Sequence, residues 1–126
     1  MGFRAVLFDL DGLMIDTETM VHRAFDEASS RLGYPMPDDL FPRLIGRRAE
    51  ESNVLIQDAF GRDFPLDKFR ALTRELYDSD LAENGIGLKA GIADMLDFLI
   101  HHDIPYACAT STHRDRSWWK MEKAFI

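Results

Sequence analysis

Cysteine and long apolar runs are both scarce in this sequence, and each scarcity excludes a class of protein. The only cysteine among the 126 residues is Cys108, so no disulfide can form within the chain and a reducing compartment is expected. No stretch approaches the roughly 18 consecutive apolar residues of a membrane span, and the N-terminus reaches its aspartates too early for a signal peptide. We therefore expect a cytoplasmic protein that does not enter a membrane.

The sequence also has fewer basic than acidic residues, and it lacks the common cofactor motifs. The 15 lysines and arginines face 22 acidic residues, and the resulting net charge of -7 argues against a nucleic-acid binder, which usually presents a basic surface. The sequence contains no CxxC, HExxH or GxGxxG pattern, so nothing indicates a zinc or dinucleotide site. A small anionic substrate stays possible, because one local basic pocket is enough to bind it.

Hydrophobic residues make up 46% of the chain, which fits about one globular domain with a buried core. Two nearly continuous apolar runs, Phe3–Phe8 and Ile104–Ala109, are typical of parallel strands buried on both faces. Elsewhere apolar residues recur at helical spacing. This spacing predicts five helices. The first contains Val21 to Leu32, the second and third run over about 48–60 and 65–82, the fourth contains Ile92 to Leu99, and the fifth contains Trp118, Met121 and Phe125.

The order of these elements predicts an α/β fold. The segment between the two strands is far longer than one crossover helix needs. We therefore expect a partial parallel-sheet core made by residues 1–15 and 89–126, and an inserted helical subdomain made by residues 16–88. The segments 13–17 and 84–87 are the expected hinges between them.

Two aspartates, Asp9 and Asp11, follow the first predicted strand at once. Two charges about 4 Å apart repel by roughly 1 kcal/mol in water and about 4 kcal/mol at an effective dielectric near 20. Such a pair persists when a cation such as Mg²⁺ neutralises it, or when one carboxyl holds a proton and the other serves as a nucleophile. A simple turn or a helix N-cap is the alternative. An EF-hand is excluded, because Met14 and Met20 occupy its glycine and glutamate positions.

The stretch FDLDGLMIDTE, which begins at Phe8, resembles the first motif of the haloacid dehalogenase-like hydrolase superfamily. The resemblance implies that Asp9 is the nucleophile that accepts a phosphoryl group and that Asp11 is the general acid/base. It also implies a Mg²⁺ ion held by the carboxylate of Asp9 and the main-chain carbonyl of Asp11. The family's second motif is a Ser or Thr directly after the next strand. The stretch YACATST places Thr110 there, with Ser111 beside it as a further phosphate-binding residue.

The same resemblance implies a Rossmann-like core with a helical cap. In related enzymes the loop at Gly46-Arg47-Arg48 lies over the active site and helps to select the substrate. Arg47 and Arg48 are therefore candidates to bind a second anionic group, and Asp16 is a further candidate substrate residue. The alternative for the two arginines is a pair of solvated side chains at a helix start.

Asp11 helps to choose among the chemistries of the superfamily, because its dehalogenases and phosphonate hydrolases lack this second aspartate. The expected reaction is Mg²⁺-dependent hydrolysis of a small phosphorylated metabolite through an aspartyl phosphate. A phosphosugar mutase similar to beta-phosphoglucomutase is the alternative. The mutase alternative is weakened because Val21 occupies the position of the cap histidine of such mutases, and His22 is the next residue. A non-catalytic module that binds phosphate or magnesium also stays open.

Two further motifs of the superfamily, a lysine and an acidic pair, follow the second motif. The sequence stops at Ile126, about one helix past Thr110. Lys120 and Lys123 lie in that helix, which is the wrong element for the family lysine. The resemblance thus implies a truncated chain with weak magnesium binding, low activity and an exposed apolar sheet edge that favours self-association.

Overall fold

The computed structural model describes residues 2–124 and shows an α/β fold, which confirms the predicted class. Its elements in chain order are β1 (Val6–Asp9), α1 (Thr17–Arg31), α2 (Leu40–Leu44), α3 (Ala49–Phe60), α4 (Leu66–Asn84), α5 (Ile92–His101), β2 (Tyr106–Ala109) and α6 (Arg114–Lys123). Among the described residues, no helix combines the length and the apolar composition needed to cross a membrane.

The chain divides into two compact units. The core unit comprises Met1–Thr17 and Leu81–Ile126, and the helical unit comprises Glu18–Asp80. The expected second boundary at residue 88 therefore lies too late, since residues 81–88 belong to the core unit. Backbone hydrogen bonds explain this difference: Asp16 N donates to Gly87 O at 2.9 Å, and Ile86 N donates to Lys123 O at 3.4 Å.

The sheet consists of β1 and β2 in parallel, with Val6 paired to Tyr106 and Asp9 paired to Ala109. Both predicted strands began too early along the sequence. The expectation of burial on both faces is wrong for these strands: Phe8 is buried, but Leu7 is 70% exposed. Because side chains alternate between the faces of a strand, Phe8 packs on one face while Leu7 points to the other.

A tight loop follows β1 and turns the chain back past the aspartates. Gly12 N donates to Ile15 O, and Met14 N donates to Leu10 O, both at 3.0 Å. Gly12 has a φ of 77°, a left-handed conformation that glycine adopts without the cost that a Cβ imposes. The returning segment then pairs with the second connecting segment, since Lys89 N donates to Met14 O at 2.9 Å.

The helical unit is organised around aromatic side chains. Phe69 is fully buried on α4 and packs edge-on against Phe25 of α1, with ring centroids 5.2 Å apart. The short helix α2 was not predicted, although its Leu40, Phe41 and Leu44 are buried in the same cluster. The remaining helices of this unit lie close to the predicted ranges. Ala59, which was expected to face inward, is exposed.

The two predicted helices of the core unit exist, but parts of their predicted inner faces are wrong. Met95 of α5 is 45% exposed and Trp118 of α6 is 59% exposed. The buried face of α6 is formed instead by Ser117 and Lys120, one helical turn apart. Phe125, the third residue expected on that face, lies outside the described residues.

Candidate active site

The register of the sheet brings the two motifs together at one edge. Asp9 is the last residue of β1, and its partner Ala109 is the last residue of β2, directly before Thr110. The carboxyl ends of both strands therefore carry the predicted site residues, which is where open parallel sheets bind ligands. The Asp9 side chain is exposed, and its Oδ1 accepts a hydrogen bond from the N–H of Leu10 at 3.0 Å.

Asp11 is held by both of its carboxylate oxygens. Its Oδ1 lies 2.9 Å from the Nζ of Lys120, and its Oδ2 accepts a hydrogen bond from the hydroxyl of Thr112. Thr110 is a further hydrogen-bond partner of this carboxylate. The Thr110 hydroxyl also accepts the N–H of Thr112 at 3.1 Å. The two motifs are thus joined through Asp11 rather than through Asp9.

These contacts decide the charge of Asp11. Burial raises the pKa of this carboxyl, but the hydrogen bond from Thr112, the hydrogen bond and charge of Lys120 and the hydrogen bond from Thr110 act in the opposite direction. The second group of effects wins, and the pKa of Asp11 lies below its ordinary value. Asp11 is therefore ionised at neutral pH.

At the carboxyl ends of the two strands, this chain offers a metal ion only a few oxygen ligands. Within residues 2–124 there is no cluster of three or more His, Cys, Asp or Glu side chains arranged to hold a metal. The exposed carboxylate of Asp9 and the main chain at Asp11 remain as donors. One or two carboxylates completed by waters and substrate phosphate oxygens are the usual donor set of Mg²⁺, so these residues fit that ion.

Cys108, on β2, is poorly suited to act as a nucleophile. Burial raises the pKa of its thiol, and the negative charges of Asp9 and Asp11 raise it further. The thiol is therefore protonated at neutral pH, and a thiol is a far weaker nucleophile than a thiolate.

The other predicted site residues have simpler surroundings. Ser111 is exposed beside Thr110, and the backbone of Asp16 takes part in the pairing between the two connecting segments. Within the helical unit, Arg47 is exposed, and its Nε donates to Arg43 O at 2.7 Å. Arg48 is the exposed N-cap residue of α3. A substrate-binding role for these residues stays a prediction.

Thr112 and Lys120 are the two site residues that sequence reasoning missed. Lys120 was set aside because it lies in the helix directly after the second motif. Its spacing from Ser117 places both residues on one face of α6, but the apolar residues of this helix predicted a different inner face, so the sequence carried no clear signal for Lys120. A lysine on the buried face of a helix calls for an anionic partner, and Asp11 is that partner.

Residues 6–126 match the sequence profile of the family described as haloacid dehalogenase-like hydrolase. The chain belongs to this family. Membership agrees with the place of the two motifs, because both stand at the carboxyl ends of neighbouring parallel strands.

Individual curated proteins resemble this chain over most of its length. A "Phosphorylated carbohydrates phosphatase" of Thermotoga maritima is 30% identical over 112 residues, which are 86% of this chain and 50% of that protein. "Protein CbbY" of Cereibacter sphaeroides is 32% identical over 115 residues, again 86% of this chain and 50% of the relative. The chain thus spans about half the length of these curated relatives.

Solved structures show the same pattern. A Thermotoga maritima protein that carries a provisional beta-phosphoglucomutase name matches with a TM-score of 0.76 and 25% identity, covering 98% of this chain and 56% of that one. The fold described above is therefore the fold of one part of a haloacid dehalogenase-like hydrolase.

Proposed function

We propose that this chain carries the nucleophile-bearing part of a phosphatase that hydrolyses small phosphomonoesters. The observation that carries the proposal is the meeting of Asp9, Asp11 and Thr110 at one edge of the sheet, fixed by the pairing of Asp9 with Ala109. An exposed carboxylate beside a hydroxyl-lined strand end is suited to attack phosphorus and to hold the phosphate oxygens.

In the first step, an oxygen of Asp9 attacks phosphorus and the bond from phosphorus to the leaving oxygen breaks. Protonated Asp11 gives its proton to that oxygen, and an aspartyl phosphate remains on Asp9. In the second step, ionised Asp11 takes a proton from water, the water oxygen bonds to phosphorus, and the bond from phosphorus to the Asp9 oxygen breaks. Inorganic phosphate leaves, the Asp9 carboxylate is restored, and Asp11 holds the proton that the first step of the next turnover uses. The described arrangement holds Asp11 ionised, which is the form that the second step needs.

The phosphate oxygens would be held by Thr110, Ser111 and the N-terminus of α6. The N-cap residue of α6, His113, makes no side-chain hydrogen bond to the first turn, and a helix N-terminus is a favourable place for an anion. The exposed Asp9 carboxylate and the Asp11 carbonyl would hold Mg²⁺. When bound, this ion neutralises charge on the phosphate and on the aspartates.

The substrate class that we propose is a phosphorylated carbohydrate, because one matched relative is named for that activity. Arg47, Arg48 and Asp16 are the proposed contacts to the remainder of the substrate. The arginines are exposed, and a guanidinium can bind a second phosphate or carboxylate through two parallel hydrogen bonds.

A phosphosugar mutase is the second candidate, favoured by the name of the Thermotoga maritima structure. A non-catalytic phosphate or magnesium binder is the third. A mutase returns the phosphoryl group to a sugar, a phosphatase releases it to water, and a binder does neither.

One experiment separates these functions. The full-length protein is incubated with a panel of sugar phosphates, with Mg²⁺ or with EDTA, and both inorganic phosphate and isomerised sugar phosphate are measured. We expect release of phosphate that requires Mg²⁺. Isomerisation without net release would make the protein a mutase, and neither product across the panel would exclude the enzymatic proposal.

A further inference from the structure

Lys120 is a buried cation on the helix that follows the second motif. Its side chain is 9% exposed, and its Nζ lies 2.9 Å from Asp11 Oδ1. Lysine is almost never buried to this extent unless it is paired with an anion. The contact is made across 109 positions of sequence, so it depends on how α6 packs and not on local chain geometry.

Lys120 and Thr112 act on different oxygens of the same carboxylate. Lys120 contacts Oδ1, and Thr112 donates to Oδ2. The terminal torsion of an aspartate is broad when nothing holds it, and two donors on opposite oxygens fix it. An ionised carboxylate offers about four lone-pair positions, and Thr110 is a third hydrogen-bond partner, so about one position remains for a proton or a water molecule.

The helix that carries Lys120 is itself fixed at both ends. At its start, the hydroxyl of Ser117 contacts Thr112 O at 3.3 Å and His113 O at 3.2 Å. At its end, a Cβ on Gly85 would lie 2.9 Å from Lys123 O, so the chain there packs against the helix without room for a side chain. The contacts at both ends of α6 therefore hold the backbone of Lys120 in place, and a precise site needs its side chains on such a rigid element.

We propose that Lys120 is a positioning residue that orients the Asp11 carboxylate for proton transfer, an inference that rests on the proposed phosphatase function. Lys120 touches Asp11 and acts through it. Its loss therefore slows the proton-transfer steps and leaves substrate binding nearly unchanged.

The test compares three variants of the full-length protein. Lys120→Met removes the charge at similar length, Lys120→Arg keeps it, and Lys123→Met removes a lysine of the same helix that contacts Ala82 O instead of Asp11. General acid–base catalysis contributes about 10²- to 10⁴-fold, so we expect Lys120→Met to lower kcat by roughly 10- to 100-fold. We expect KM to stay within about twofold. Lys120→Arg should recover part of kcat, and Lys123→Met should match the unaltered protein.

A crystal structure of Lys120→Met supplies a readout that does not depend on activity. We expect the Asp11 carboxylate to rotate and to lose its hydrogen bond from Thr112. If Lys120→Met keeps its kcat, or if both methionine variants lose activity equally, the inference is wrong. If the unaltered protein hydrolyses no phosphate ester, the proposed function fails. In that case the crystal structure of Lys120→Met still tests the role of Lys120. An unmoved Asp11 carboxylate overturns the inference, and a rotated one supports it.

Discussion

Asp9 and Ala109 are partners in the last pair of the parallel sheet. This relationship places Thr110, the next residue, beside the chain that leaves β1 toward Asp11. A hydroxyl from one motif and two carboxylates from the other thus share one edge, although about a hundred residues separate them in the sequence.

Asp9→Asn should abolish turnover without unfolding the protein. The exposed side chain of Asp9 accepts one hydrogen bond, from the neighbouring Leu10 N–H, and an asparagine oxygen can accept it equally. Loss of a nucleophile lowers kcat by roughly a thousandfold or more. Phosphate release and thermal melting are measured beside Asp58→Asn, an exposed aspartate of α3. Substantial hydrolysis by Asp9→Asn would remove Asp9 from the mechanism.

Thr112→Val should destabilise the core unit and slow the reaction, because it removes the hydroxyl that donates to Asp11. Hydrogen bonds to charged groups contribute about 1.5–3 kcal/mol, and the partial exposure of Asp11 places the expected loss near the lower end, about 1.5 kcal/mol. Urea unfolding measures this loss. Thr112→Ser keeps the hydroxyl and serves as the control. Equal stabilities of the valine and serine variants would show that the hydrogen bond contributes nothing.

Acid should destabilise the protein partly through Asp11. Folding lowers the pKa of Asp11, so the folded state binds fewer protons at this group than the unfolded state does. Its contribution to stability is complete above the ordinary aspartate pKa of about 3.9 and is lost as the pH falls through the lower folded value. Urea midpoints between neutral pH and about pH 3 should therefore fall more steeply for the unaltered protein than for Asp11→Asn. Parallel curves would contradict this assignment.

Gly85→Ala should be strongly destabilising, whereas Gly87→Ala should be nearly neutral. Gly85 has a φ of 69°, and an added Cβ would lie 2.9 Å from the main-chain oxygen of Lys123. The left-handed conformation alone costs a non-glycine residue about 1–2 kcal/mol, and the clash adds to that cost. Gly87 has open space around it and no positive φ. Denaturant unfolding of both variants checks the contrast, and a stable Gly85→Ala protein would refute it.

The 126-residue chain should self-associate through its exposed strands. Leu7 of β1 is 70% exposed, and an uncovered apolar strand invites pairing with another chain. Leu7→Lys should lower the association, since lysine on an edge strand opposes pairing. Sedimentation velocity at about 100 µM compares it with Val54→Lys, a 60% exposed position of the helical unit. A monomeric unaltered chain would rule the prediction out.

Local signals in the sequence were enough for the strands, most of the helices and the two motifs. The run before Asp9 and the run before Thr110 both gave strands, because apolar residues followed by a polar turn are typical of a strand end. Helix α2 was missed because five residues are too few to show a helical period. The exposure of Leu7 was missed because burial depends on what packs against a strand, which the strand's own residues do not specify.

Lys120 shows the same limit at the candidate site. Its contact with Asp11 joins residues that no short motif relates, and only the packing of α6 brings them together. The apolar spacing of α6 pointed to the face of Trp118 and Met121, so the burial of Lys120 on another face also depends on packing.

The pairing of Val6 with Tyr106 has a consequence for the order of folding. Closing so long a loop before any other structure exists is entropically costly, and contacts between distant residues slow folding. The helical unit reduces this cost. Near its two ends, Arg23 Nη2 and Asp80 Oδ2 lie 2.9 Å apart, so folding of that unit alone brings its entering and leaving segments close together. The sheet then closes across a much shorter effective distance, so we expect the helical unit to form first and the sheet edge that carries the candidate site to form last.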